Sequence, residues 1–312
     1  MDLHSEQLHT ATPDSYRLFL RRKRLVTLVL LAAVLAAALA LSRCVMQNVL
    51  RNPLAAASTL GVSQGAAFGA ALAIIALDAG AQNAANAGTA VTISSPGTVT
   101  LCAFLGGLAT TAVILILCRL RSASPSSMIL AGVALSSLFS GATTLLQYFA
   151  DDVQLSTVVY WTFGDLGRPG WSEIRLMYAV TLAALVYFLW NRWNYNALSS
   201  GVQTAKSLGV SVDLLSYISM GLCTLIASVA VAFVGIVSFV GLIAPHIVRR
   251  FVGSDYRFLL PCSALAGSTL LLLGDLAAKV ILPPAILPIG AITSLLGAPL
   301  FLLLIFRGEA LR

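Results

Sequence analysis

The chain has 312 residues, 58% of them hydrophobic and 10% charged, with a formal net charge of +7. Soluble domains carry about 25% charged residues, so a water-soluble globular protein is excluded, and apolar runs recurring to the C-terminus are not one signal peptide. The positive balance reads as Lys and Arg gathered in the cytoplasmic loops of a membrane protein, with no nucleic-acid partner.

Residues 1–24 read as a polar and basic N-terminal segment, ending in Arg21-Arg22-Lys23-Arg24, with residues 1–16 disordered or interfacial. Residues 25–312 read as a single transmembrane domain. Its first apolar run extends from Leu25 to about Met46. Further candidate spans cover about 61–79, 99–119, 128–149, 174–190, 213–234, 259–279 and 288–306, each near the roughly 20 residues needed to cross a bilayer. The shorter stretch 237–251 is a ninth candidate, expected to bend at Pro245. The expected fold is all-α: a polytopic bundle of about nine spans, within a range of roughly 8–10.

Loops supply the orientation. With the C-terminus inside, Arg51, Arg119, Arg121, Arg192, Lys206, Arg249, Arg250, Arg257, Arg307 and Arg312 fall on the cytoplasmic side. The opposite loops hold only Arg168, with Arg175 and Lys279 at their edges. Nine spans then place Arg21–Arg24 outside, against that bias. Either the first segment does not span as drawn, or a further helix precedes it.

Two loops stand out. Residues 80–98 are small and polar, an exposed loop. Residues 150–173 mix acids with Tyr160, Trp161 and Trp171, which suit an interfacial aromatic belt and a short helix on the outer surface. Cys44, Cys102, Cys118, Cys223 and Cys262 lie in or beside apolar segments with no CxxC pair, and read as small core residues.

Several motifs carry more. Arg51-Asn52-Pro53-Leu54-Ala55 begins with a preset turn, Pro53 leaving Asn52 extended. Gly61, Gly65 and Gly69 at spacing four lay a smooth stripe on one helix face, for tight packing of the small-xxx-small kind or for lining a narrow conduit. Ser136, Ser137, Ser140, Thr143 and Thr144 punctuate an apolar span. They satisfy themselves by bonding to the preceding turn, or Ser137, Ser140 and Thr144 line a path. Gln203-Thr204-Ala205-Lys206-Ser207-Leu208-Gly209 lies between spans as a short helix with Gly209 as its stop. In residues 235–275, Gly241, Pro245 and Gly253 break apolar runs, and Asp275 stands inside another. Freed backbone groups and a buried charge are both costly in hydrocarbon, so a protein-lined interior is implied. Asp275 and Lys279, four apart, share a face and are placed to pair. His246 follows Pro245 and reads as a structural hydrogen-bonder; no metal site is expected. Leu287-Pro288-Ile289-Gly290 opens the last apolar run.

These blocks, spread over residues 43–306, together resemble the FecCD-type permease subunits of bacterial iron-siderophore, haem and cobalamin importers. The resemblance implies a cobalamin-permease-like bundle in the bacterial inner membrane, paired with a second permease subunit, a copy or a paralogue. It implies that Gln203, Ala205, Lys206, Ser207, Leu208 and Gly209 form a coupling helix that docks onto separate ATP-hydrolysing subunits. Ser137, Ser140, Thr144, Pro288 and Gly290 would line or gate the path. Lys279, with Arg24, would face a periplasmic or lipid-anchored substrate-binding protein. Asn52, Pro53, Gly61, Gly65, Gly69, Gly241, Pro245 and His246 would serve helix packing and breaks. Relatives usually have an acid before Leu-Pro where this chain has Ile286, and an Arg-x-Pro-Arg-like entry where it has Leu25–Leu28. No G-x-x-x-x-G-K-[ST] motif is present, so ATP would be used by the partner and no cofactor by this chain. Ferric siderophore is the first expected cargo, then haem, then cobalamin. The alternative is an ion-coupled secondary transporter with Asp275 as its carboxylate; a membrane-embedded enzyme is disfavoured by the lack of any HExxH motif.

Overall fold

The computed structural model describes residues 13–79, 95–121, 125–281 and 287–309. Twelve helices and no strand occur among them. In chain order they are α1 (Pro13–Val49), α2 (Val62–Ile75), α3 (Pro96–Arg121), α4 (Pro125–Tyr148), α5 (Asp152–Thr162), α6 (Trp171–Trp190), α7 (Arg192–Ser199), α8 (Val202–Ser207), α9 (Val212–Val234), α10 (Val240–Val252), α11 (Tyr256–Val280) and α12 (Ile289–Glu309). Six segments are long and apolar enough to cross a membrane: Leu25–Val49, Pro96–Ile116, Ser126–Tyr148, Trp171–Trp190, Val212–Val234 and Tyr256–Val280. Val62–Ile75 and Ile289–Leu303 are shorter apolar helices, and α10 is shorter still. Every one of the nine expected segments is thus a helix, and among the described residues six of them are candidate spans by length and composition.

The helix ends follow local chemistry. Pro96 and Pro125 occupy first helical positions, where the missing N–H costs nothing. α5 opens with a capping box: Asp151 accepts from the Gln154 N–H while the Gln154 side chain reaches back to the Asp151 N–H. α9 and α10 end at Gly235 (φ 91°) and Gly253 (φ 77°). α1 is continuous across residue 24, so the basic cluster belongs to the same helix as the first span. Residues 80–94 lie outside the described residues, while Pro96–Thr98 form the first turn of α3 rather than loop.

α1 is the central helix, packed against α6, α9, α10 and α11. Small residues set its close contacts. A Cβ on Gly241 would lie 2.8 Å from the Leu39 carbonyl oxygen, and one on Gly267 3.0 Å from that of Ala36. Hydroxyls then bridge helices: Ser42 Oγ donates to the Cys223 carbonyl at 3.0 Å and Ser268 Oγ to the Ala33 carbonyl at 2.9 Å. Without a hydrophobic driving force in lipid, such contacts carry helix association. A second cluster joins α2, α3, α5 and the end of α9. α4 lies at the periphery against α2 and α3, with Leu130, Leu138 and Leu145 exposed.

Two expectations are corrected. The chain breaks at Gly235–Phe239, where Gly235 and Phe239 (φ 63°) leave the helical region, and the helix runs on through Pro245. Trp161 is not a surface-belt residue: it is 2% exposed, packed from α5 into the cluster with α2, α3 and the end of α9. Tyr160 and Trp171 remain exposed. Cys44 and Cys223 are free thiols in the core, Cys102 and Cys262 are half-buried, and the side chain of Cys118 lies outside the described residues.

Candidate functional site

One end of the bundle carries Arg51, Lys206, Arg249 and Arg257 with the short helices α7 and α8. α8 ends in a Schellman motif: Gly209 N–H donates to the Lys206 carbonyl and Val210 N–H to that of Ala205, both at 3.0 Å. Gly209 takes φ 81°, which a side chain would resist. Ala205 is fully buried, whereas Gln203, Lys206, Ser207, Leu208 and Gly209 are exposed. The helix therefore has one anchored residue and one open face.

α7 ties that face to three long helices. Tyr195, buried, shares a 2.6 Å hydrogen bond with Ser219 of α9, and its backbone carbonyl accepts from Asn48 Nδ2 of α1 at 2.9 Å. Burial pushes its phenol up, so it stays protonated. Asn196 donates through Nδ2 to Asp255 and accepts from the Tyr256 N–H. The Arg257 guanidinium pairs with Asp255 at 2.7 Å and lies over the Trp193 ring at 4.7 Å. Arg257, by side chain and backbone N–H, and then Asn196 hold the Asp255 carboxyl well below the usual range. A cavity of about 230 Å³ opens beside this platform, between Asn48, Arg51, Ser199, Arg249 and Tyr256.

The RNPLA motif builds the turn out of α1. Arg51 takes φ 48°, Asn52 Oδ1 accepts from the Leu54 N–H at 2.8 Å, and Gln47 Nε2 donates to the Pro53 carbonyl at 2.8 Å. The glycines beyond it pack backbone on backbone. A Cβ on Gly65 would lie 2.5 Å from the Gly106 carbonyl oxygen, and one on Gly69 2.1 Å from that of Cys102. Gly61 (φ 82°) caps α2 in a left-handed conformation facing Ser136 and Thr110.

At the opposite end two glycines, Gly235 and Gly290, knot α5, α9 and α12 together. Gly290 N–H donates to the Phe163 carbonyl at 3.1 Å, and Asp165 N–H to that of Val234 at 2.9 Å. A Cβ on Gly290 would meet Ile236 O at 2.6 Å and Phe163 O at 2.7 Å; one on Gly235 would meet Trp161 O at 2.6 Å. Gly290 is thus a packing position, and Pro288 is half-buried beside it. Arg168 donates to the Tyr160 and Trp161 carbonyls, closing the turn after α5. Burial opposes its charge, and Asp165 supports it.

Ser137, Ser140 and Thr144 share the exposed face of α4. Thr144 Oγ1 donates to the Ser140 carbonyl at 3.0 Å, and Ser136 and Thr143 bond back likewise. Lys279 pairs with Asp275 at 2.5 Å. The side chain of Arg24 and residue Ile286 lie outside the described residues. His246 is half-buried, edge-on to Phe301 at 6.3 Å between ring centroids. No group of three or more His, Cys, Asp or Glu stands close enough to hold a metal among the described residues.

Arg43 is a residue that sequence pattern alone does not single out. It lies inside the Leu25–Val49 span beside a cavity, and its Nε is sealed from solvent with no acceptor. A lone arginine within LALSRCVMQ is the available signal, masked by the charges expected near span ends.

The FecCD transport family pattern matches residues 5–307. A protein of Methanocaldococcus jannaschii described as an ABC transporter permease, MJ0087, is 53% identical over 249 residues, 80% of this chain and 70% of its own. The hemin transport system permease protein HmuU of Yersinia pestis is 37% identical over 66% of this chain, and the vitamin B12 import system permease protein BtuC of Vibrio vulnificus 37% over 69%. The matches span 61% and 65% of those two proteins' own lengths, less than two thirds. A solved structure described as an inward-facing conformation of a metal-chelate type ABC transporter superposes with TM-score 0.80 at 32% identity, covering 90% of this chain and 85% of that one.

Proposed function

The chain belongs to the FecCD transport family, and on that premise we propose that it is the permease subunit of an ATP-driven importer of metal chelates in the cytoplasmic membrane. Ferric siderophore is the first candidate cargo, then haem and cobalamin, in keeping with the hemin and vitamin B12 permeases it is similar to. Two permease subunits enclose one path, ATPase subunits bind the α8 end, and a substrate-binding protein delivers cargo at the other.

The observation that carries this reading is the α7–α8 platform. α8 offers an exposed surface of Lys206, Ser207 and Leu208, while Tyr195 and Asn196 bond α7 to α1, α9 and α11. A displacement imposed on α8 is thereby delivered to three long helices as rigid-body motion. Closure of the ATPase pair pushes α8, the helices tilt, and the knot of Phe163, Gly235 and Gly290 opens or closes the far end. The exposed α4 face with Ser137, Ser140 and Thr144 lines the path. The Thr144 hydroxyl is satisfied within the helix, and small hydroxyl side chains make a weakly sticky wall suited to a large chelate. The ion-coupled alternative loses its carboxylate, because Asp275 is already paired with Lys279.

The test is ATP hydrolysis by this chain assembled in lipid with its genomic ATPase and binding protein. Stimulation by binding protein loaded with ferric siderophore, haem or cobalamin establishes the importer and identifies the cargo. Proton- or sodium-dependent uptake by this chain alone, with no ATPase bound, overturns it.

A further inference from the structure

The transport cycle above leaves one charged group unused. The Arg43 guanidinium borders a cavity of about 170 Å³ enclosed by α1, the turn before α2, α9 and the break before α10. Ser58, Ser63 and Ser238 line the same space, as does Ser42, whose hydroxyl is committed to the Cys223 carbonyl. The Nε has no acceptor, and the guanidinium makes no ion pair among the described residues, whose pairs are Arg257–Asp255 and Lys279–Asp275. A buried charge is normally compensated by an opposite charge. Among the described residues, a second copy of the chain has none free to offer at this depth. Among the described acidic residues, only Asp275 stands more than a turn inside a membrane helix, and Lys279 holds it.

We propose that Arg43, with Ser58, Ser63 and Ser238, forms an intramembrane anion site of carboxylate size. Guanidinium and hydroxyl groups converging on one small cavity are the donors that a carboxylate accepts from, and charge-assisted bonds are the strong ones. At about 30 Å³ per water, the space of about 170 Å³ matches about five waters, room for a small mono- or dicarboxylate and not for a whole chelate. The anion comes either from a carboxylate arm of the passing cargo or from free solution. The first source rests on the transport reading; the site itself does not.

Two measurements decide it, on the permease assembled with its ATPase in lipid. In the first, the thermal unfolding midpoint is titrated with malonate against a bulky sulfonate at equal ionic strength. Wild type is expected to gain about 2–4 °C with malonate only, and R43Q nothing. In the second, proteoliposome uptake of ferric citrate is compared with that of a neutral ferric trihydroxamate. A selective loss of citrate uptake in R43Q of about tenfold or more assigns the anion to cargo. A malonate shift without selective loss assigns it to free anion, and the site stands. No malonate-specific shift in wild type overturns the proposal. Where R43Q fails to fold, the wild-type titration and R43K, which keeps the charge, decide between these outcomes. Failure of wild type to take up any cargo with ATP sinks the transport reading, while the malonate titration still reports on the site.

Discussion

Asn196 fastens α7 to the start of α11: its Nδ2 donates to Asp255 Oδ1 at 2.9 Å and its Oδ1 accepts the Tyr256 N–H at 2.8 Å. Using both ends of the amide fixes its orientation and satisfies an N–H that helix geometry leaves orphaned at the first turn. Asn196→Ala removes both bonds and is expected to cost about 1–3 kcal/mol. Its sharper effect is on coupling. ATP hydrolysis by the assembled complex continues while cargo moved per ATP falls several-fold, read by parallel phosphate-release and uptake assays. An unchanged ratio overturns the role given to α7.

Tyr195 and Ser219 give a test of a buried pair. Tyr195→Phe leaves the Ser219 hydroxyl in the core without its 2.6 Å partner, a loss of about 1–3 kcal/mol. Ser219→Ala strands the phenol likewise. The double variant removes both polar groups and is expected to recover most of the loss. Thermal unfolding of the four proteins in one lipid completes the cycle, and simple additivity of the two losses refutes the pairing.

The glycine stripe is next. Gly65→Ala places a methyl 2.5 Å from the Gly106 carbonyl oxygen, a backbone atom that cannot rotate away. Overpacking of this kind costs about 1–3 kcal/mol. Gly141→Ala on α4 is the control, since nothing lies within 4 Å of its Cβ position. The first is expected to lower the unfolding midpoint and the second to leave it unchanged or raise it.

Local pattern made much of this legible. Apolar runs marked nine helical segments, six of them candidate spans among the described residues; Gly209 marked the end of α8, and the spacing of Asp275 and Lys279 gave their ion pair. What stayed hidden depends on partners far along the chain. Pro245 advertised a break, but α10 is packed on α1 through Gly241 and tolerates it; the break falls at Gly235–Phe239, where two residues take positive φ. Trp161 looked like a belt aromatic until Gly235 and the α9 end closed over it. Asn196 sat in a polar stretch with nothing to distinguish it from Asn191 or Asn194, because its partners are 59 and 60 positions away.

The pH response follows from Asp255. Its carboxyl lies well below the usual range, through Arg257 first and then Asn196. A depressed carboxylate adds stability above its unfolded value, about 3.9, and loses it only as pH falls through the lower folded value. The platform therefore does not titrate through this group between about pH 5 and pH 8, and the ratio of transport to hydrolysis stays flat there. Asp255→Asn keeps the shape but removes the charge that holds Arg257, and is expected to lower the ratio equally at every pH in that window. A wild-type ratio that drops toward pH 5 and a variant ratio that does not would place the titrating group at Asp255 and refute the depressed carboxyl.

The open face of α8 carries the last prediction. Leu208 is 68% exposed at the end of a helix whose Ala205 is fully buried, so the two positions separate docking from folding. Leu208→Asp puts a charge where an apolar side chain awaits a partner, without touching the core. The permease is expected to fold with an unchanged melting midpoint and to lose its ATPase subunits on co-purification. Ala205→Asp buries the same charge and is expected to prevent folding, since an uncompensated buried carboxylate costs several kcal/mol. Retention of the ATPase by Leu208→Asp would remove α8 from the interface, and the coupling role of Lys206 and Ser207 would go with it.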